Sequence, residues 1–323
     1  MKIVSLFKNR VILPFNILFQ SLSHKEVRLG FIGFFATAFK GVPMFDNLYK
    51  NKNRIILDRL KKEFDYVIDE FREYSFDTEY DQNAPVWVSW MQGYEKAPDI
   101  VKKCIDSIKA STKHTVYIIT SENLNKCADI PEYITEKYAS GIITNAQFSD
   151  ILRMSLLSKH GGIWIDATVF APKKIPESIF ESEFYTCKRT QRESAYVSQY
   201  RWTSFINGCQ KGCVIQQAMN RLFREYWRKK DYLIDYLLVD YFMCLVYENI
   251  PSAKKLIDEL DYNNSRVDDL QEVMNLRFDE KTYNDIISAQ DTYFYKLSWR
   301  MDFAEKTTGG EQTFFGYFMN GIN

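Results

Sequence analysis

Residues 144–170, TNAQFSDILRMSLLSKHGGIWIDATVF, constrain the fold more than any other stretch of the chain. Thr144 and Gln147 form a capping box that opens a helix. Phe148, Ile151, Leu152 and Leu156 then recur at helical spacing toward a core, until Lys159, His160 and Gly161 close the helix. Gly162 lets the chain enter a strand, IWID, that is too apolar to face water, so Asp166 stands at its carboxyl end or is buried. A buried carboxylate without a partner is costly, and it calls for hydrogen bonds or a cation. Asp150 and Arg153, three residues apart, share one helix face; on spacing alone they make an ion pair worth a few tenths of a kcal/mol.

The same alternation runs upstream. VWVSWM at 86–91 reads as a strand, DIVKKCIDSIKA at 99–110 as a helix, HTVYIIT at 114–120 as a strand, and short helices are expected over about 122–138. Strand, helix, strand, helix implies a parallel sheet covered by helices, with ligands bound beyond the carboxyl ends of the strands. No GxGxxG or GxxxxGK[ST] is present, which removes the usual dinucleotide and P-loop readings. Lys plus Arg and Asp plus Glu are balanced at 42 each, so overall charge gives no case for nucleic acid. The balance conceals an asymmetry: residues 1–62 carry 12 basic and 3 acidic side chains, and residues 63–81 carry 1 and 8.

The basic segment is also apolar. Ser23 and Glu26 cap a helix bearing Val27, Phe31, Phe34, Phe35 and Ala38, and no run there reaches the roughly 20 residues of a membrane span. Residues 1–45 therefore read as an interfacial membrane anchor or as a helical pair packed on the main domain. A polar helix over about 55–73 and an acidic linker ending at Pro85 follow. The expected division is a helical extension, 1–81, and an α/β domain, 82–323. Six scattered cysteines without a CxxC pair read as buried free thiols in a reducing, cytoplasmic compartment.

Two stretches, APVWVSWMQGYEKAPDIVKKCIDSIK and NAQFSDILRMSLLSKHGGIWIDATVF, resemble the bacterial capsular polysaccharide synthesis proteins. Those are related to the family 32 glycosyltransferases and, remotely, to the glucosylating clostridial toxins, which share an S-D-x-x-R helix, a G-G strand and a D-x-D motif. The similarity continues through RWTSFINGCQKG and an aromatic helix, LFREYWRKKDYLIDYLLVDYF. The resemblance implies a GT-A-like, mostly parallel sheet covered by helices, the fold of nucleotide-diphosphosugar transferases, with a donor-binding half at about 82–200 and an acceptor half at about 201–323. It implies a hexosyltransferase of capsule assembly using a nucleotide sugar, UDP-sugars being favoured, and a lipid-linked glycan acceptor at the inner face of the membrane.

Position by position, the resemblance implies that Trp90 stacks on the nucleobase and that Asp150 and Arg153 contact ribose, sugar and nucleotide. Asp166 matches the first acid of the D-x-D, the catalytic position, where a divalent cation (Mn²⁺ or Mg²⁺) would carry the diphosphate. The motif here reads Asp166, Ala167, Thr168, so Thr168 offers the metal only a neutral hydroxyl. Three alternatives follow: an acid from the C-terminal half, an ion brought by the donor, or a metal-independent transferase. Trp202 reads as a core aromatic or an edge of the acceptor pocket, and KTTGGEQTFFGY at 306–317 as a C-terminal turn or a loop closing over the donor. A sugar-phosphate transferase and a non-catalytic scaffold of a polysaccharide assembly complex are the rival functions.

Overall fold

The computed structural model describes residues 46–74, 80–190 and 196–321. The anchor or packed helical pair expected within residues 1–45 lies outside them, as does the middle of the acidic linker. The helix expected from about residue 55 begins earlier, as α1 (Asp46–Arg72), and kinks where Phe64 leaves helical geometry at φ −121°. Ile56, Leu60, Phe64, Val67 and Ile68 recur along one face of α1 and are buried in the same cluster as the helices of the α/β unit. Tyr66 donates to Glu225 at 2.6 Å, and Tyr241 donates to Asn53 at 2.7 Å, so this helix is fastened to the unit by polar contacts as well.

The central sheet has five strands in the order β2-β1-β3-β6-β5. These are β1 (Val86–Ser89), β2 (Val116–Ile119), β3 (Gly162–Ile165), β5 (Phe184–Thr186) and β6 (Ile206–Cys209). β2, β1 and β3 are parallel; β6 runs antiparallel to both β3 and β5. A separate pair, β4 (Val169–Phe170) with β7 (Tyr295–Lys296), lies just past the end of β3. The expected mostly parallel sheet covered by helices is therefore what the chain forms.

Side-chain alternation divides the core into two layers. Trp87 and Trp164 point to one face, where they meet α1, α5 (Asn145–His160), α7 (Val214–Lys229), α8 (Leu238–Asn249) and α9 (Pro251–Glu259). Val86, Val88, Ile163 and Ile165 point to the other, against α2 (Asp99–Ser111), α6 (Glu177–Glu181), α10 (Asp269–Val273), α11 (Glu280–Ile287) and α12 (Phe314–Asn320). The short helices expected near 122–138 are α3 (Leu124–Cys127) and α4 (Glu132–Ala139).

The long aromatic helix expected across LFREYWRKKDYLIDYLLVDYF is instead two helices, α7 and α8, separated by residues 230–237. Tyr226 explains the break: its hydroxyl donates to Tyr232 O at 2.8 Å and accepts from Ile234 N at 2.8 Å, folding the chain back over the end of α7. Asp235 then accepts from Leu237 N at 2.9 Å just before α8 starts. Segment 306–317 is an exposed turn, with Thr307 N donating to Glu311 O at 2.8 Å, followed by the start of α12, which Thr313 caps. All six cysteines are free and five are buried. No helix among the described residues is long and apolar enough to cross a membrane.

Candidate functional site

Half of the expected capping box forms: Thr144 accepts from Gln147 N, while the Gln147 side chain donates to Tyr236 O at 2.9 Å and not back to the cap, and α5 runs to His160. Gly161 follows with φ 68°, and Gly162 has φ 89°. A Cβ on Gly162 would lie 2.2 Å from Pro85 O, so only glycine permits both the turn and the approach of β3 to β1. This hairpin-like return from helix to strand sets Asp150 and Arg153 beside the end of β3. There Asp166 N donates to Phe205 O at 2.9 Å, and Asp166 O accepts from Val169 N at 2.9 Å, which turns the chain into β4.

Arg153 joins the two acids. It donates to Asp150 at 2.7 Å and to Asp166 at 3.3 Å, and its guanidinium lies over the Trp164 ring at 4.9 Å. Its Nε is buried and has no partner among the described residues. Asp166 receives two further donors, Trp164 Nε1 at 2.8 Å and Lys296 Nζ at 2.8 Å. Lys296 also donates to Thr168 Oγ1 at 2.8 Å. The β4–β7 pairing, which sets Val169 opposite Lys296, is what brings this ammonium to a residue 130 positions earlier in the chain.

Across the opening, Trp202 is buried and donates from Nε1 to Asp240 at 2.9 Å. It is a core aromatic and does not itself line the cavity, which it meets through Asp240. Ser149, Asp150, Arg153, Asp166, Tyr236 and Asp240 bound this cavity of about 180 Å³. Tyr236 reaches it because α7 and α8 are broken apart.

The three carboxylates differ. Burial pushes Asp150 up to about 6, against the pull of Arg153 and reinforced by the charge of Asp166. Burial likewise pushes Asp240 up to about 6, with the Trp202 hydrogen bond opposing it and Asp150 adding to it. Burial also raises Asp166, but Lys296 and Arg153 outweigh it and hold that carboxyl below its ordinary range. One acid is thus held ionised by two cations, and two others change charge near pH 6, the separation of environments that acid–base chemistry uses.

Trp90 is placed apart from this group. It follows β1, is half-buried, and meets Trp299 edge-to-face at 5.7 Å; it does not line the cavity. Trp299 is 44% exposed, so the pair offers an aromatic surface along the same carboxyl edge of the sheet.

A divalent cation at Asp166 and Thr168 does not fit the arrangement. Both oxygens are already bridged by the Lys296 ammonium, and Arg153 shares the carboxylate. Among the described residues no group of three or more His, Cys, Asp or Glu is placed to hold a metal ion. Among the described residues, the C-terminal half brings a lysine to these two oxygens. Lys296 and Asp240 were not legible as site residues: KLSW carries no motif, and Asp240 falls inside the run expected as one aromatic helix, placed in a first turn only by the break before α8.

Among solved structures, the PaToxG glycosyltransferase aligns over 79% of this chain and 92% of its own, with 15% identity and a TM-score of 0.35. No curated protein matches the chain. The capsular polysaccharide synthesis protein pattern matches residues 39–318, thereby taking in α1 and every element of the sheet, and the chain belongs to that family.

Proposed function

We propose that the chain is a glycosyltransferase that moves a sugar from a nucleotide diphosphate sugar, a UDP-sugar being favoured, onto a growing surface polysaccharide with a lipid-linked end. The observation that carries this reading is the chain Asp150–Arg153–Asp166, which lines a polar pocket at the carboxyl edge of the parallel strands, with Lys296 joined to it at Asp166 from beyond the pocket lining. About 180 Å³ accommodates a sugar ring and not a whole nucleotide sugar, for which pockets of roughly 300–1,000 Å³ are usual. The nucleotide therefore lies outside it along the edge, where Trp90 and Trp299 present ring faces for a base.

In this reading the acceptor hydroxyl attacks the anomeric carbon. The bond from that carbon to the β-phosphate oxygen breaks, and its electron pair leaves with the nucleoside diphosphate. The hydroxyl proton passes to Asp240, whose carboxyl near pH 6 is matched to the task. Asp150 and Arg153 hold the sugar and its diphosphate link. Residues 1–45 would keep the enzyme at the inner face of the membrane, near its acceptor.

The test is a panel of nucleotide sugars presented to the purified full chain, read by thermal shift and by donor hydrolysis. Stabilisation by one nucleotide class, lost in Arg153→Ala, is expected. A protein indifferent to every nucleotide sugar would falsify the donor site, and release of a sugar phosphate in place of a nucleoside diphosphate would favour the sugar-phosphate transferase.

A further inference from the structure

The disagreement between the D-x-D position and its surroundings carries an inference that rests on the transferase reading. We propose that Lys296 takes the place of the divalent cation: its ammonium, held at Asp166 and Thr168, neutralises the departing diphosphate, and the reaction runs without a metal.

Four observations converge. First, Nζ lies 2.8 Å from Asp166 Oδ2 and 2.8 Å from Thr168 Oγ1, so it bridges the two residues that stand at the first and third positions of the D-x-D. A hard divalent ion can be held by one or two carboxylates with water and phosphate completing its shell, but here the oxygens it would take on Asp166 and Thr168 are already turned to an ammonium, whose N–H donors they satisfy. Second, two of its three N–H donors are used by these residues, and the side chain is 25% exposed, leaving a donor that an arriving phosphate oxygen can meet.

Third, the lysine is held from its backbone. Lys296 N donates to Val267 O at 2.8 Å, Leu297 N donates to Thr168 O at 2.9 Å, and the β4–β7 pair closes around them. A cation so anchored is in place before the donor arrives, which is what makes a fixed charge effective on a leaving group. Fourth, the Phe205 ring lies 5.3 Å from Nζ, so one side of the charge faces an apolar surface and not water. Asp166 then acts as a positioning residue that aims Lys296 and Arg153, and the threonine in place of a second acid ceases to be a defect: a second carboxylate there would draw the ammonium's charge away from the phosphate.

The chemistry balances without further reactants. The β-phosphate oxygen takes the electron pair of the broken anomeric bond, Lys296 keeps its proton and contributes charge and a hydrogen bond, and the acceptor proton goes to Asp240.

Isothermal titration of the full chain with UDP, GDP, ADP, dTDP and CDP, each in EDTA and in Mn²⁺, tests this. For the nucleotide that binds, wild type is expected to show dissociation constants within about twofold in the two conditions. Lys296→Met is expected to bind at least tenfold more weakly in EDTA, and Lys296→Arg, which keeps the charge, to remain within about fivefold of wild type. Thermal melting of each variant checks folding, and the arginine variant preserves the comparison if the methionine variant melts early. Wild-type binding that drops tenfold or more in EDTA, or a Lys296→Met protein that binds as wild type does, overturns the proposal alone. Absence of binding by every nucleotide in both conditions overturns the transferase reading and this proposal with it.

Discussion

Asp240→Asn should stabilise the protein and inactivate it, and the stabilisation should depend on pH in one direction. Asp240 titrates at about 6 in the folded chain against an ordinary 3.8. The folded state therefore holds the proton more tightly than the unfolded state does. The associated stability is fully present below about pH 3.8 and is lost as pH rises through about 6. A displacement of roughly two pH units at about 1.4 kcal/mol each corresponds to about 2–3 kcal/mol above pH 7. Asparagine has the same shape, and its carbonyl oxygen can still accept from Trp202 Nε1, so packing and the hydrogen bond are retained.

Urea denaturation of wild type and Asp240→Asn at half-unit steps from pH 4 to 8 gives the difference directly. It should be near zero at pH 4, grow through pH 5–6.5, and level off at about 2–3 kcal/mol, a rise in Tm of roughly 3–5 °C at pH 8. Transfer activity should fall about 10²- to 10⁴-fold, the usual contribution of a positioned base. A stability difference that is flat across this range, or a variant that is less stable at pH 8, refutes the argument from burial. Full activity in the variant refutes the base assignment while leaving the burial argument intact.

Trp202→Phe removes the hydrogen bond that pulls the Asp240 carboxyl down. The acid limb of the kcat/KM profile, measured with the donor found in the panel, should move to higher pH; an unmoved limb disconnects Asp240 from the rate. Gly162→Ala should cost more than about 3 kcal/mol, because a side chain at φ 89° is strained and its Cβ would lie 2.2 Å from Pro85 O. Chemical denaturation reads this, and a loss under about 1 kcal/mol would mean that β3 and β1 can separate at little cost.

The parts of the site that were legible in the sequence are those whose partners are close along the chain. Thr144, Gln147, Asp150, Arg153, Gly161, Gly162 and Asp166 fall within 23 residues, and capping, helical spacing and strand hydrophobicity place each of them. The ion pair read from spacing is present at 2.7 Å. Lys296 reaches Asp166 across 130 residues through a two-residue strand pair, and no local periodicity carries that information. Asp240 was hidden for a different reason. The aromatic run around it has continuous helical periodicity, and the break depends on Tyr226 satisfying backbone groups of residues 232 and 234, a choice made by tertiary hydrogen bonding against local propensity.

The acids of the pocket impose opposite demands. Asp166, held below its ordinary range by Lys296 and Arg153, contributes stability that is present above its unfolded value and is lost as pH falls through the folded one. Asp150 and Asp240, raised to about 6, contribute stability that is lost as pH rises through that value. Between the two lies a window in which all three are at ease, and the proposed chemistry lies at its upper side, where Asp240 must be ionised to accept a proton. The pocket therefore works where its own buried carboxylates are least comfortable. An arriving diphosphate would be repelled by three ionised acids, and the two fixed cations, Arg153 and Lys296, are what the fold sets against them. Arg153 is engaged by two carboxylates and almost wholly buried; Lys296 keeps a donor and a quarter of its side chain exposed. Of the two, the lysine is the one with exposure and a donor left for an arriving phosphate, so the role proposed for Lys296 and the metal question are a single question.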